Sequence, residues 1–446
     1  MLIWRQQHPE LRWDWNKIDT NDIHFPKEFL WGVATAAHQV EGNTDNNNWS
    51  AWENARDENC QPRIKNNQKA GLACDHWNRY REDILLMQEL GVQAYRFSVE
   101  WSKIEPREGE FDEAALQHYR EVCDALLAAG LTPMVTLHHF THPLWFEQKG
   151  AFEKTENIAL WIRFCERVFQ ALHEKVNLWC TINEPEVFAS QGYFQGVFPP
   201  GKKDPERTGV VLKNLLEAHT QVYQAIKRLP GGDQARLGLV KDIFQFDPDN
   251  RWNIFDWLIS RKLKHLFTNS ILEYFRTGHF GFSIPGMVHL EHFNAEAPRT
   301  LDFIGLNYYS HLRVKFQFNP QEFFIFKFLP DEIMTDMPYP IYAEGFYRAI
   351  KTLAQLQKPI YITENGIADA RDDRRELFIR RYLYAMSRAM QDGSDVRGYF
   401  YWSLLDNFEW AEGYDMKFGL YEVDFKTQQR RLRDGAKAFV KTVRRK

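Results

Sequence analysis

A single (β/α)8 barrel is the fold class that this sequence predicts, on three observations. Short apolar runs recur along the 446 residues. The segments between them carry apolar residues at steps of three and four, the period of amphipathic helices. Polar residues collect where the apolar runs end. Runs this continuously apolar suit parallel strands buried on both faces by helices. Eight strand–helix units favour closure into a TIM-type barrel over an open doubly wound sheet. No Gly-rich phosphate fingerprint follows any run, which weakens a nucleotide-binding alternative.

The runs in order are "FLWGVATAA" (29–37), "AYRFSVEW" (94–101), "TPMVTLHH" (132–139), "LWCTINEP" (178–185), "ARLGLVKDI" (235–243), "DFIGLNYY" (302–309), "KPIYITENG" (358–366) and "VRGYFYWSL" (396–404). After the first, Trp77, Tyr80, Ile84, Met87 and Leu90 predict a helix capped by Asp75 and ended by Gly91. After the second, Leu116, Tyr119, Cys123, Leu126 and Leu127 predict another between Asp112 and Gly130. Trp161, Phe164, Val168 and Leu172 predict a third within 156–176. The longest irregular stretch is 310–345. Its Phe316, Phe318, Phe323, Phe324, Phe326 and Phe328 read as a helix or strand buried against the barrel. The other reading is an apolar loop for a greasy leaving group or a membrane surface. No linker or low-complexity tract divides the chain, so one domain over 1–446 is expected. Residues 1–20, with Trp4, Trp13 and Trp15, form an N-terminal extension of unassigned role.

Composition excludes several classes of function. Lys and Arg number 56 against 60 Asp and Glu, a formal charge of −4, so no global basic field would draw nucleic acid. The basic tail "RRLRDGAKAFVKTVRRK" alternates with apolar residues and reads as a surface helix. Cys60, Cys74, Cys123, Cys165 and Cys180 are dispersed, which fits a reducing, cytoplasmic compartment. The first residues lack the apolar core of a secretory signal, and no stretch approaches the length of a membrane span. Aromatic residues make up 15 % of the chain, with 15 Trp, a supply suited to flat sugar faces.

The strand ends collect Gln39 and Glu41, Arg96 and Glu100, His138 and His139, Asn183 and Glu184, Asn307 and Tyr309, Glu364 and Asn365, and Trp402. In a barrel of this kind those ends share one mouth. Glu184 is followed by Pro185, which closes the strand. Glu184 and Glu364 are the carboxylates that stand out. Hydrolysis of a glycosidic bond needs one acid to protonate the leaving oxygen and a second carboxylate opposite it. When the second attacks the anomeric carbon, the two lie about 5–5.5 Å apart and configuration is retained. Proximity raises the pKa of one of them, which becomes the acid. Arg96 is the candidate cation for the other. A catalytic metal is disfavoured: His138 and His139 should point to opposite faces of a strand, and no H-E-x-x-H or Cys cluster occurs. No G-x-S-x-G elbow suggests a serine hydrolase.

"TINEP" at 181–185 and "ITENG" at 362–366, in this order and spacing, resemble glycoside hydrolase family 1, the β-glucosidase family. "FLWGVATAAHQVEG", "YREDILLMQELGVQAYRFSVEW", "GLNYY" and "YWSLLDNFEW" fall in the family's order, so the likeness runs from about residue 24 onward. It implies a cofactor-free, exo-acting, retaining β-glycosidase working by double displacement through a covalent glycosyl-enzyme. Glu184 would be the general acid and then base, and Glu364 the nucleophile. Arg96 and Tyr309 would support Glu364, and Asn183 would hold the sugar 2-hydroxyl. Gln39, His139, Glu409 and Trp410 would read hydroxyls, Trp402 would lie beneath the ring, and Asn307 and Phe418 would complete the wall.

Details within these motifs narrow the expectation. Thioglucosidases of the family carry Gln at the acid position, so Glu184 implies O-glycosides. The 6-phospho-glycosidases carry Ser where Glu409 stands, with Lys and Tyr at the positions of Met416 and Phe418. Unphosphorylated β-glucosides, or galactosides and fucosides, are therefore expected. The family's "HWDLP" appears here as "HFTHP", with Phe140 and Thr141 as departures. The Phe-rich segment suggests an apolar or lipid aglycone and leaves membrane contact open. Two alternatives also stay open: a transglycosidase with an apolar acceptor, and a sugar-binding barrel without chemistry.

Overall fold

The computed structural model describes residues 10–319 and 322–445. Eight parallel strands form a closed barrel, each within one of the eight apolar runs: β1 (Leu30–Ala34), β2 (Ala94–Ser98), β3 (Thr132–His138), β4 (Leu178–Asn183), β5 (Arg236–Asp242), β6 (Phe303–Asn307), β7 (Ile360–Asn365) and β8 (Val396–Trp402). Each pairs with its neighbours in sequence, and β8 closes onto β1 with Leu30 opposite Gly398 and Ala34 opposite Trp402. Strands β2, β4, β6 and β7 are buried at every residue, as expected for strands covered on both faces.

The three helices read from apolar spacing form at His76–Leu90, Glu113–Ala128 and Ile158–Leu172. Asp112 caps the second through its carboxylate, which accepts from the backbone N–H groups of Ala114 and Ala115. Asp75 stands at the N-terminus of the first but does not cap its backbone. It is left-handed, with φ 52°, and its carboxylate accepts from the side chains of Asn78 and Arg79 instead. Gly91, at φ 82°, ends that helix as expected. Leu127 departs from the expected apolar stripe: it is exposed, and Val122 takes the buried place.

The Phe-rich stretch is neither a buried helix nor a plain loop. His311–Phe316 and Phe324–Lys327 pair as an antiparallel hairpin, whose first strand also pairs in parallel with Gln245–Pro248. This small sheet grows from the chain that leaves the mouth ends of β5 and β6. Residues 10–17 of the N-terminal extension dock beside it. The buried Glu10 carboxylate pairs with buried Arg313, and Glu344 accepts from the Trp13 backbone N–H and the Trp15 indole. Trp4 lies outside the described residues. In the basic tail only Lys437–Val443 is helical, while Gln429–Leu432 pairs with Tyr421–Asp424. Among the described residues no helix is long and apolar enough to cross a membrane.

Candidate active site

Glu184 stands where β4 turns into the short helix Pro185–Ala189. Its backbone N–H still donates to the Val240 carbonyl at 2.8 Å, continuing the strand ladder. Its own φ and ψ are 46° and 62°, and Pro185 takes the first helical position, where it lacks no needed donor. A left-handed conformation costs a non-glycine residue about 1–2 kcal/mol. Such strain is kept where the fold needs a side chain aimed in one direction.

Glu364, at the end of β7, is held from two sides. Arg96 Nη1 donates to its Oε1 at 2.6 Å, and the Tyr309 hydroxyl donates to its Oε2 at 2.7 Å. Arg96 is itself held at each of its three nitrogens. Its Nε donates to Thr136 Oγ1, its Nη1 also to the Thr363 carbonyl, and its Nη2 to Asn183 Oδ1 at 2.7 Å. Burial, the largest single effect, would lower the Arg96 pKa, but the charge and hydrogen bond of Glu364, with Cys180 and Glu184, together outweigh it and keep the guanidinium charged.

Asn307 ties Glu184 to Asn183 and, through Asn183 and Arg96, to Glu364. Its Nδ2 donates to Glu184 Oε1 at 2.6 Å and to Asn183 Oδ1 at 3.2 Å, and its Oδ1 accepts from Thr363 Oγ1 at 2.7 Å. Glu184 is 7 % exposed, and its pKa is pushed well above the usual carboxylate range. Desolvation is the largest cause, followed by the negative charges of Asp242 and Glu364, with the Asn307 hydrogen bond opposing. The net effect favours the protonated form of Glu184.

Asp242 is the site residue that sequence reasoning missed. It ends β5 opposite Asn307, so by strand register it faces the mouth as Asn307 does. Both of its carboxyl oxygens are buried and have no hydrogen-bond partner among the described residues. Its neighbour Lys241 turns outward to Glu186, 2.8 Å away. Counting alternation back from the end of "LGLVKD" would have found it.

The remaining wall is aromatic and amide-rich. Gln39 Nε2 donates to Asn407 Oδ1, the Phe408 carbonyl and Glu409 Oε2, at 3.0, 2.8 and 3.3 Å. Gln39 Oε1 stays buried without a partner among the described residues, as does His139 Nδ1. His139 stacks between Trp402 and Trp410, with ring centroids 5.9 and 6.0 Å away, and its Nε2 lies 3.3 Å from Asn183 Nδ2. Burial first, then Arg96, keeps His139 neutral. Glu409 is raised to about 8 by desolvation and by the Glu364 charge, against hydrogen bonds from Gln39 and Trp402. Phe418 packs edge-on to Tyr309 at 5.9 Å. Phe140, one of the departures in "HFTHP", meets Trp410 at 5.3 Å, while Thr141 donates to Glu100.

Every residue expected to work at the site thus gathers at one end of the barrel. Four other strand-end residues turn away. Glu41 accepts from Tyr119 and Lys103, and Glu100 from Ser102 and Thr141. His138 packs outward among Phe152, Trp161 and Phe188, as alternation predicts, and Asn365 is bonded to Tyr308 and Tyr399. Among the described residues no three His, Cys, Asp or Glu side chains are grouped as around a metal ion.

Comparison with known proteins bears on the same arrangement. The sequence model of glycosyl hydrolase family 1 matches residues 21–446. The chain belongs to that family. It is a glycoside hydrolase, and its barrel is the family's fold. Among its relatives is a 1,4-beta-D-glucan glucohydrolase of Thermotoga neapolitana, 34 % identical over 438 residues, covering 92 % of this chain and 96 % of the other. Beta-glucosidase A of Thermotoga maritima is 35 % identical over 437 residues, covering 92 % and 95 %. A beta-glycosidase from Pyrococcus horikoshii superposes with a TM-score of 0.85 at 39 % identity over 95 % of each chain. The Thermotoga maritima beta-glucosidase in complex with castanospermine superposes with a TM-score of 0.84 at 31 % identity, over 94 % of this chain and 98 % of that one.

Proposed function

We propose that this family 1 glycosidase is an exo-acting, retaining enzyme that hydrolyses unphosphorylated β-O-glucosides, with galactosides and fucosides as further substrates. The observation that carries the reading is the asymmetry of its two carboxyls: burial and neighbouring acids favour the protonated form of Glu184, while Glu364 is ion-paired to Arg96. In the first step Glu364 Oε attacks the anomeric carbon as Glu184 gives its proton to the departing aglycone oxygen. A glycosyl ester on Glu364 results. In the second step Glu184, now ionised, takes a proton from water, and the water oxygen displaces Glu364 with configuration restored. Tyr309 and Arg96 aim Glu364, and Arg96 keeps Thr136, Thr363 and Asn183 as partners when Glu364 becomes an ester.

Asn183 would hold the 2-hydroxyl, a contact that strengthens as the transition state forms. The free acceptor of Gln39 and the free Nδ1 of His139 suit further hydroxyls, with Trp402 as the platform under the ring. Glu409 would hydrogen-bond the 4- and 6-hydroxyls and offers a phosphate no counter-charge there, which supports the unphosphorylated sugar. An apolar aglycone belongs to the reading, supported by Tyr339 near Tyr309, at 6.5 Å between ring centroids, and Phe244 beyond it at 5.9 Å. Residues 1–446 are taken as one catalytic domain working without a cofactor. A cytoplasmic setting is supported by five unpaired cysteines.

The test is release of nitrophenol from a panel of p-nitrophenyl β-glycosides, with product configuration followed by NMR. The reading expects β-glucoside turnover, a β-configured first product, and collapse of activity in Glu364→Gln. An α-configured first product, or full activity in that variant, would overturn it.

A further inference from the structure

Outside the mouth, the least explained feature is an apolar face on the connections that follow β5 and β6. The helix Ile254–Lys264 and the turn before it leave Trp252 61 %, Ile254 66 % and Leu258 58 % exposed, with Phe255 and Trp257 also out. The neighbouring hairpin adds Phe318 at 88 %, with Phe323 and Phe326 also exposed. The two elements form one surface. Phe255 stacks on Phe316 at 4.9 Å and meets Phe318 at 5.9 Å, and the buried Asp256 carboxylate accepts the Phe316 N–H. A soluble protein seldom leaves this much contiguous aromatic and aliphatic surface in water.

The charges around the face say what could cover it. Arg261, Lys262 and Lys264 close the helix, and Lys315 and Lys327 edge the hairpin. Arg261, Lys262, Lys315 and Lys327 make no ion pair among the described residues, while Lys264 is half-buried beside Arg348 and Asp247. Asp256, the acid of the helix, points inward, and Glu322 is the exposed acid of the hairpin. A helix with Trp, Phe, Ile and Leu on one side and cations at its end is the pattern of segments lying in a membrane interface. A second copy packed symmetrically on the same face would set these cations against one another.

We propose that this face docks on an anionic lipid surface. Trp252, Ile254, Leu258 and Phe318 enter the headgroup boundary, and the flanking Lys and Arg side chains meet lipid phosphates and carboxylates. The chain would then sit as a peripheral protein, held by the same connections that leave the mouth ends of β5 and β6. The docking stands apart from the proposed chemistry and is read without turnover.

The experiment is flotation of the full chain with vesicles of phosphatidylcholine alone and of phosphatidylcholine with phosphatidylserine, at low and high salt. The expected result is co-flotation with the mixed vesicles, weakened by salt and weak or absent with the neutral ones. Trp252→Ser/Phe318→Ser should cut the bound fraction about tenfold or more, since buried apolar area sets interfacial affinity. Arg261→Gln/Lys262→Gln/Lys264→Gln should abolish the preference for the anionic vesicles. Nitrophenyl-glucoside KM should stay unchanged in both variants, which separates loss of docking from loss of fold. No flotation with either vesicle, or flotation indifferent to both variants, would overturn the proposal. So would a solution dimer, seen by light scattering, that dissociates in Trp252→Ser/Phe318→Ser.

Discussion

The mouth of the barrel and the outer face of Ile254–Lys264 treat exposure in opposite ways. At the mouth, charged and amide side chains are buried, and each of Arg96, Asn183, Asn307 and Glu364 is held by two or more partners. On the outer face, large apolar side chains stand in water, and Arg261, Lys262, Lys315 and Lys327 beside them make no ion pair among the described residues. Burying charge is expensive unless every group is satisfied, so the mouth amounts to a fixed geometry bought with hydrogen bonds. Its unsatisfied atoms, on Gln39, His139 and Asp242, are the places left for a ligand. The outer face fixes little within the chain, and its substitution should leave the chemistry alone.

The sharpest way to break this contrast is at Glu364. Glu364→Gln removes the attacking group and should lower kcat by about 10⁵-fold or more, an effect on the scale seen when a nucleophile is lost. Steady-state kinetics on nitrophenyl glucoside would check it. Glu184→Gln should cost about 10²–10⁴-fold, and more for alkyl glycosides than for nitrophenyl ones, because a good leaving group needs little protonation. Since the Glu184 pKa is raised, kcat/KM should fall on the alkaline side as Glu184 loses its proton. In Glu184→Gln that alkaline limb should vanish.

The supporting shell comes next. Tyr309→Phe removes one hydrogen bond to a charged acceptor and should cost about 10–100-fold in kcat/KM. Arg96→Lys keeps the charge but cannot reach Thr136, Thr363, Glu364 and Asn183 together. It should lower kcat and the melting temperature at once.

Glu409 gives a test of stability. Its folded pKa, about 8, lies above that of an unfolded Glu, so the folded state binds more protons between the two values. Stability contributed by this group is therefore present below the unfolded pKa and lost as pH rises toward 8, at no more than about 1.4 kcal/mol per pH unit. Glu409→Gln should flatten that part of the melting-temperature profile. The smallest effect belongs to the outer face: Ile254→Ser should change folding stability by no more than about 0.5 kcal/mol in urea unfolding and leave kcat unaltered.

How far the sequence could be read differs between these two regions in the same way. Barrel strands repeat one constraint, burial on both faces, so their apolar runs were visible without any partner in view. Glu184 and Glu364 were legible because proline or glycine punctuates the strand ends beside them. Glu41 and Glu100 occupy similar positions yet turn to Tyr119, Lys103, Ser102 and Thr141, partners that only the folded chain brings near. Asp242 was hidden by its neighbour: "KD" reads as a solvated pair until the register shows Lys241 outside and Asp242 within. The outer face was half legible. Its phenylalanines were conspicuous in sequence, but their exposure depends on the helix at Ile254–Lys264, which brings Phe255 against Phe316.

The central claim is that Glu364 carries the sugar between the two steps. The measurement that tests it most directly is mass spectrometry after incubation with a 2-deoxy-2-fluoro-β-glucoside bearing a good leaving group. Fluorine in place of the 2-hydroxyl weakens the Asn183 contact and slows both steps, while the leaving group keeps the first fast enough to accumulate the ester. One fluoroglucosyl unit per chain, mapped to the peptide containing Glu364 and absent in Glu364→Gln, is the predicted result. A label on Glu184 or Asp242, or turnover with no covalent species formed, would contradict the account.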